Sequence, residues 1–354
     1  MIVCLSAVFC PASQAAELAW ANVPERSVPA HLDRAIAQGD AMPRLHSLLV
    51  SQHGELLLER YFNGRGPDDL ANVKSVSKSI LSALVGIAIE QRILDGVEIT
   101  LTRYFGELLT EVGPDKGSIT LEDLLTMRSG LRATSNGNYS AWVLSDNWVV
   151  SALRQPLETT PGQEMQYSTG NTHLLSAILT TASGRSTLEF AREALTEPLG
   201  FELAPWPRDP QGIYFGGNDM RLTPRQMLAF GELYLNGGRR GERQIVPAWW
   251  VEASIQPRSR SPHGGARYYG YGWWICELAG YQVPHAWGHG GQFIMLVPEL
   301  DLVIVTTSST NAGAVAHDHA NQVYQWLQQI IHLVATAPSV PAANDRETVA
   351  HLRR

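Results

Sequence analysis

From Tyr271 to Ser308 the chain is written in strand period. Tyr271–Cys276, Tyr281–Trp287, Gln292–Val297 and Leu302–Ser308 are short apolar runs separated by only a few residues, and Glu299-Leu300-Asp301 is one of the tight turns between them. Connections this short force neighbouring strands to run antiparallel, because a parallel return needs a crossover of a dozen residues or more. Near the other end, His46–Phe62 reads as a hairpin, with LHSLLVSQ and ELLLERYF divided by His53-Gly54. The stretch between is helical and loop-rich. The simplest closed arrangement is α/β (α+β): an antiparallel β-sheet built from both ends of the chain, flanked by helices, with an inserted all-helical lobe. The expected α/β lobe covers about 17–105 and 215–335, the helical lobe about 106–214, and 336–354 is a polar, Ala/Pro-rich tail. A cleft between the lobes is the natural place for a site.

The helices are marked mainly at their ends. ANVKSVSKSILSALVGIAIEQRIL carries Ile80, Leu81, Leu84, Ile87 and Ile89 at spacings for a largely buried helix that begins near Ser75 and stops before Asp95-Gly96. Thr120 with Asp123, Ser186 with Glu189, and Thr223 with Gln226 have the spacing of capping boxes, and Pro224 adds the favoured first helical residue. Asn171–Ala182 is an apolar helix closed by Gly184. Pro247-Ala248-Trp249-Trp250 opens a shorter helix, and His319–Val334 is the last, with Asp318 as its expected N-cap.

Charge excludes some functions. The 354 residues carry 34 acidic and 27 basic side chains, with no clustered basic excess of the kind that grips nucleic acid phosphates. Of the basic residues only Lys74, Lys78 and Lys116 are lysine, and two of these lie within five residues of each other. The three cysteines, Cys4, Cys10 and Cys276, form no ligand-like cluster. Met1–Ala16 has an apolar run and a small-residue end like a secretory signal peptide, without a basic start, which points to a periplasmic or secreted protein and otherwise to a cytoplasmic one. With that leader removed only Cys276 remains, so no internal disulfide can form. No later apolar run is long enough to span a bilayer.

Three local patterns carry chemistry. Ser75-Val76-Ser77-Lys78 is the only S-x-x-K in the chain. Positions i and i+3 share a helix face, so the Lys78 amine can reach the Ser75 hydroxyl, and a helix N-terminus favours developing negative charge. An amine of lowered pKa can take the serine proton; the bland alternative is a capping serine followed by a surface lysine. Tyr167-Ser168-Thr169 leads into a buried helix and can present a phenol oxygen for proton transfer, although a lone tyrosine more often serves packing. Trp287-Gly288-His289-Gly290-Gly291-Gln292 joins two strands, where glycine marks either a bend or the close approach of another group, and a backbone N–H such as that of Gln292 can face an oxyanion. His317 and His319 are two apart and share no helix face, so a metal site is not expected. Tyr268, Tyr269, Tyr271, Trp273 and Trp274 line either a pocket or a packed sheet face. There is no G-x-S-x-G, Walker sequence or dinucleotide fingerprint.

In order and spacing the three patterns resemble those of the serine β-lactamase and penicillin-binding-protein superfamily, most closely its class C β-lactamase-like branch, which includes 6-aminohexanoate-dimer hydrolase and esterases. Ser75–Lys78 stands for its S-x-x-K, Tyr167-Ser168-Thr169 for its Tyr-x-Asn and His289-Gly290-Gly291 for its Lys-Thr-Gly. The segments Ile119–Leu131, Pro161–Leu175 and Gly216–Gly238 are also similar, and the likeness covers about residues 45–335. The resemblance implies a β-lactamase/transpeptidase-like fold and an acyl-enzyme on Ser75. It implies proton transfer by Lys78 and Tyr167, and an oxyanion hole from the N–H groups of Ser75 and Gln292. Thr169, His289, Gly290 and Gly291 would line the substrate pocket, and no cofactor or metal is implied. Two departures stand out: Thr169 replaces the asparagine, a role not to be transferred to Asn171, and His289-Gly290 replaces the lysine and hydroxyl that hold a substrate carboxylate. A hydrolase of small esters or linear amides is therefore expected ahead of a true β-lactamase or D,D-peptidase, or of a catalytically silent ligand-binding module.

Overall fold

The computed structural model describes residues 32–262, 266–311 and 314–337. Met1–Ala16 with Cys4 and Cys10, the tail beyond 337 and the His317 side chain lie outside the described residues. The two ends of the chain meet in one eight-stranded sheet. Its strands are β1 (Leu45–Gln52), β2 (Glu55–Tyr61), β3 (Ser259–Arg260), β4 (Tyr268–Tyr269), β5 (Trp274–Leu278), β6 (Tyr281–Gly288), β7 (Gln292–Val297) and β8 (Leu302–Ser308). Their order is β2-β1-β8-β7-β6-β5-β4-β3, and every neighbouring pair is antiparallel. The seam between the chain ends is β1 on β8, with Leu49 opposite Val305 and Val50 opposite Ile304. His53 and Gly54, at φ 53° and 71°, take the two left-handed positions that a two-residue hairpin turn requires.

Among the described residues the α-helices of eight or more residues are α1 (Asp33–Asp40), α2 (Ser77–Glu90), α3 (Thr102–Val112), α4 (Thr169–Ser183), α5 (Pro224–Leu235) and α6 (Ala314–Thr336). Because side chains alternate along a strand, β7 and β8 each feed two cores. Phe293, Met295, Leu302 and Ile304 pack with Ala35 of α1 and with Val323, Trp326 and Ile330 of α6. Ile294, Leu296, Val303 and Val305 face the other way, into a larger core holding Met227 and Phe230 of α5 and most of α2 and α4. Every residue of α2 from Ser77 to Ala88 is buried. Trp250 packs directly on the helix at Gly86, where a Cβ would lie 2.2 Å from the indole.

The three capping boxes form as their spacing predicts, at Thr120, Ser186 and Thr223. Other expectations are corrected. α6 begins at Ala314, so Asp318 sits inside the helix rather than capping it. α4 begins at Thr169, two residues ahead of the expected start. β5 begins at Trp274 instead of Tyr271, because Gly272 turns left-handed (φ 79°) and the Tyr271 hydroxyl is drawn to Glu122 at 2.8 Å. α1, α3 and the two-residue strands β3 and β4 are additions to the expected elements, although Tyr104, Phe105, Leu108, Leu109 and Val112 of α3 recur at helical spacing. No helix among the described residues is long and apolar enough to cross a membrane.

Candidate active site

Ser75 lies in a single 3₁₀ turn, Lys74–Val76, that runs directly into α2, so the regular helix starts at Ser77. One turn on, the Lys78 amine donates to Ser75 Oγ at 3.1 Å. It also donates to the Gly217 carbonyl at 2.6 Å and to Thr169 Oγ1 at 3.3 Å. Lys78 is 1% exposed. Burial strips water from the ammonium, the nearby charge of Asp219 opposes this only in part, and the amine pKa falls from 10.5 to about 7. A lysine in that state is partly free base at neutral pH, with its lone pair beside a hydroxyl.

The Gly217 carbonyl is a partner that S-x-x-K reading does not reveal. It reaches Lys78 only because the loop from Gly216 to Asp219 folds tightly over α4. Gly217 is left-handed (φ 79°), and a Cβ there would come within 2.3 Å of Thr172 Oγ1 and 2.7 Å of Lys78 Cγ. The paired glycines before Asn218-Asp219 were the available sequence signal. Thr169, not Asn171, faces the amine. Thr169 is tied to Ser135, which accepts from its N–H at 3.0 Å and lies 3.1 Å from its hydroxyl. Asn171 is buried behind it and accepts a hydrogen bond from Ser129 at 3.0 Å.

The ring of Tyr167 lies 5.1 Å from the Lys78 amine. It stacks on Trp274 at 5.5 Å and meets the edge of Tyr269 at 5.9 Å. Of the five aromatics from Tyr268 to Trp274, these two therefore hold a site residue, whereas Trp273 packs against Tyr234 and Phe230 in the core. Burial pushes the Tyr167 phenol well above its ordinary pKa, and hydrogen bonding with Ser75 opposes the shift without reversing it. The phenol is accordingly protonated at neutral pH, and Lys78 is the member of the pair that can accept a proton.

The third pattern is displaced from its expected position. The strand residue at the nucleophile turn is Gly288: a Cβ there would sit 2.2 Å from the Val73 carbonyl. Gly290 and Gly291, at φ 87° and 100°, are needed for the hairpin turn itself and are buried against Ser309 and Ser308. Gln292 is 0% exposed, and its amide is bonded both ways to the Ser308 backbone, at 2.8 and 3.0 Å. It offers no surface to a substrate. His289 is exposed at the tip. β5 pairs with β6 only as far as Trp274 opposite His285, so that edge of β6 is open from Ala286 onward. Gly291 N–H donates to the Gly288 carbonyl at 3.4 Å, which turns the Gly288 backbone toward β7. The backbone groups of Trp287 then face the open edge, since successive residues of an antiparallel strand alternate sides.

Among the described residues no cluster of His, Cys, Asp and Glu could hold a metal. His319 is buried and bonded to Ser308 Oγ at 3.0 Å, which accounts for it within the core. Cys276 is a buried free thiol 2.8 Å from the Tyr324 hydroxyl.

A serine hydroxyl, a buried amine of lowered pKa and a protonated phenol lie together beside the sheet. Residues 32–325 match the family model described as Beta-lactamase, and the chain belongs to the beta-lactamase family. It is 27% identical over 302 residues to the 6-aminohexanoate-dimer hydrolase of Paenarthrobacter ureafaciens, covering 78% of this chain and 75% of that one. Its fold is similar to the D-amino acid amidase of Ochrobactrum anthropi (TM-score 0.66, 18% identity, 86% of this chain and 99% of that one). It is also similar to a class C beta-lactamase from Rhodobacter sphaeroides (TM-score 0.63, 18% identity, 85% and 98%).

Proposed function

We propose that this enzyme hydrolyses small esters or linear amides through an acyl-enzyme on Ser75. The observation that carries the reading is the 3.1 Å contact between the Ser75 hydroxyl and a fully buried Lys78 amine. Neutral Lys78 accepts the hydroxyl proton as Oγ attacks the carbonyl carbon. The oxyanion is met by the N–H of Ser75 at the start of the helix and by that of Trp287 on the open edge of β6. Tyr167 gives its proton to the departing alcohol or amine, and the ammonium of Lys78 restores it. In the second half water attacks the ester, its proton passes to Lys78, and Ser75 leaves with a proton relayed through the same pair.

Tyr167→Phe keeps the ring on Trp274 and removes only the oxygen. The expected result is a ~10²–10⁴-fold loss in kcat, the scale of general acid–base assistance. An unchanged kcat would return Tyr167 to a packing role.

Substrate class follows from the cations at hand. A penicillin or cephalosporin presents a carboxylate that needs a fixed positive group near the oxyanion strand. Of the two lysines at the nucleophile turn, Lys78 is the base and Lys74 is paired with Asp219 at 2.7 Å. At the third pattern an imidazole, that of His289, takes the place of a fixed ammonium. The relative that acts on 6-aminohexanoate dimer and the amidase fold neighbour support the same choice. In a panel of p-nitrophenyl esters, short amides and nitrocefin at pH 7.5, the esters or amides should have the highest kcat/KM. Nitrocefin turnover at ~10⁶ M⁻¹s⁻¹ or above would instead support a true β-lactamase. Failure of every panel member, together with no uptake of a fluorophosphonate, would support a silent module.

A further inference from the structure

We propose that the Lys74–Asp219 ion pair is a latch that clamps the nucleophile turn to the loop from Gly216 to Asp219, fixing Ser75 and the Gly217 carbonyl around Lys78. The two residues act as positioning residues, and the proposal rests on the reading of Lys78 as the base. Lys74 directly precedes Ser75, and Asp219 follows Gly217 by two residues. Both are non-glycine residues in the left-handed region, at φ 51° and 60°. Such a backbone is unfavourable for a side chain with a Cβ and persists only where surrounding contacts hold it.

Those contacts are present. Lys74 Nζ donates to Asp219 Oδ1 at 2.7 Å, and Asn72 Nδ2 donates to the same oxygen at 2.8 Å. The Lys74 N–H closes the ring on Asn72 Oδ1 at 3.0 Å. Beside it Val73 N–H donates to the Met220 carbonyl at 3.0 Å, and Met220 N–H donates to Ser77 Oγ at 3.2 Å. Ser77 Oγ in turn donates to the Lys74 carbonyl at 2.6 Å. The segment that aims Ser75 and the segment that holds the amine are thus stitched together, and the charged pair closes the stitch where both backbones are strained. The pair is largely buried, with its two side chains 24% and 19% exposed, so solvent does not fully screen it.

The latch also sets the charge felt by the base: Asp219 acts on Lys78, and Lys74 partly neutralises Asp219. The charge of Asp219 and the ring of Tyr167 act on Lys78 directly; Lys74 reaches it through Asp219, and Tyr139, whose hydroxyl accepts from Asn218 at 2.8 Å, lies in the field of the same carboxylate. α4 contributes Thr169 and, behind Gly216, His173 paired with buried Asp209 at 3.0 Å. Removing the negative member destabilises the Lys78 ammonium, and removing the positive member stabilises it.

The test compares Asp219→Asn, Lys74→Met and the double variant by the pH profile of kcat/KM and of fluorophosphonate labelling. The wild-type acid limb should have its midpoint near pH 7. Asp219→Asn should move it down and Lys74→Met should move it up, each by about half a unit or more, the scale of one charge acting across several ångströms of partly solvated protein. Each single variant should also lose ~10-fold or more in plateau rate as Ser75 loses its aim. The double variant should return the midpoint toward wild type while keeping the rate loss. Midpoints that stay put, or move in the same direction in both single variants, would overturn the latch alone. A wild-type profile with no ionisation near pH 7 would overturn the assignment of Lys78 as base, and the proposal with it.

Discussion

A Ser75→Ala enzyme is expected to lose ester and amide turnover by at least ~10⁴-fold, as when a nucleophile is removed from an otherwise intact site. It should also fail to take up a fluorophosphonate, yet melt within a few degrees of the parent. Ser75 sits in the turn ahead of the helix, and its hydroxyl meets the Lys78 amine and the Tyr167 phenol, so its loss costs the fold little. Lys78 keeps the Gly217 carbonyl and Thr169 when the hydroxyl is gone. Loss of activity with retained stability therefore separates a chemical role from a structural one. Undiminished hydrolysis by a folded Ser75→Ala protein would place the nucleophile elsewhere and remove the acyl-enzyme mechanism altogether.

What the sequence reveals of this site depends on how local each cause is. Ser75 and Lys78 are legible because three residues on a helix fix their meeting, whatever the rest of the chain does. β7 and β8 run over the residues their patterns mark, since Phe293–Val297 and Leu302–Val305 are continuous apolar runs that feed a core on each face. The three capping boxes form for the same local reason. Glycine misleads at the third pattern. Gly290-Gly291 is conspicuous, but those residues satisfy a hairpin turn. Gly288, which has no unusual φ, is the one that must lack a side chain because Val73 approaches it. Sequence shows that a glycine is present without showing whether dihedral or proximity demands it. The Gly217 carbonyl and the pairing of Lys74 with Asp219 depend on two segments more than a hundred residues apart, and no local spacing encodes them.

Lys78 should reveal itself twice, in rate and in stability. Lys78→Arg is expected to lose nearly all activity, because a guanidinium remains protonated and cannot accept the Ser75 proton. Lys78→Met should be equally inactive but more stable than the parent at neutral and lower pH. The sign follows from proton counting. The native amine titrates near pH 7 and the unfolded one near 10.5, so between those values the unfolded chain holds a proton that the native protein lacks. Wild-type stability therefore rises with pH across that window, and below pH 7 the full penalty of the buried group is present. At ~1.4 kcal/mol per unit, the penalty reaches on the order of 4–5 kcal/mol. Methionine fills the space without a charge, and leaving the Gly217 carbonyl unpaired takes back ~1–3 kcal/mol. A net gain of ~2 kcal/mol, seen as several degrees in Tm at pH 6.5, should shrink steadily as the pH approaches 10. A Met variant less stable than wild type at pH 6.5 would mean that the site holds Lys78 as a cation by attraction rather than tolerating it as a buried amine. Lys78 would then supply charge to the reaction, and another group would have to take the serine proton.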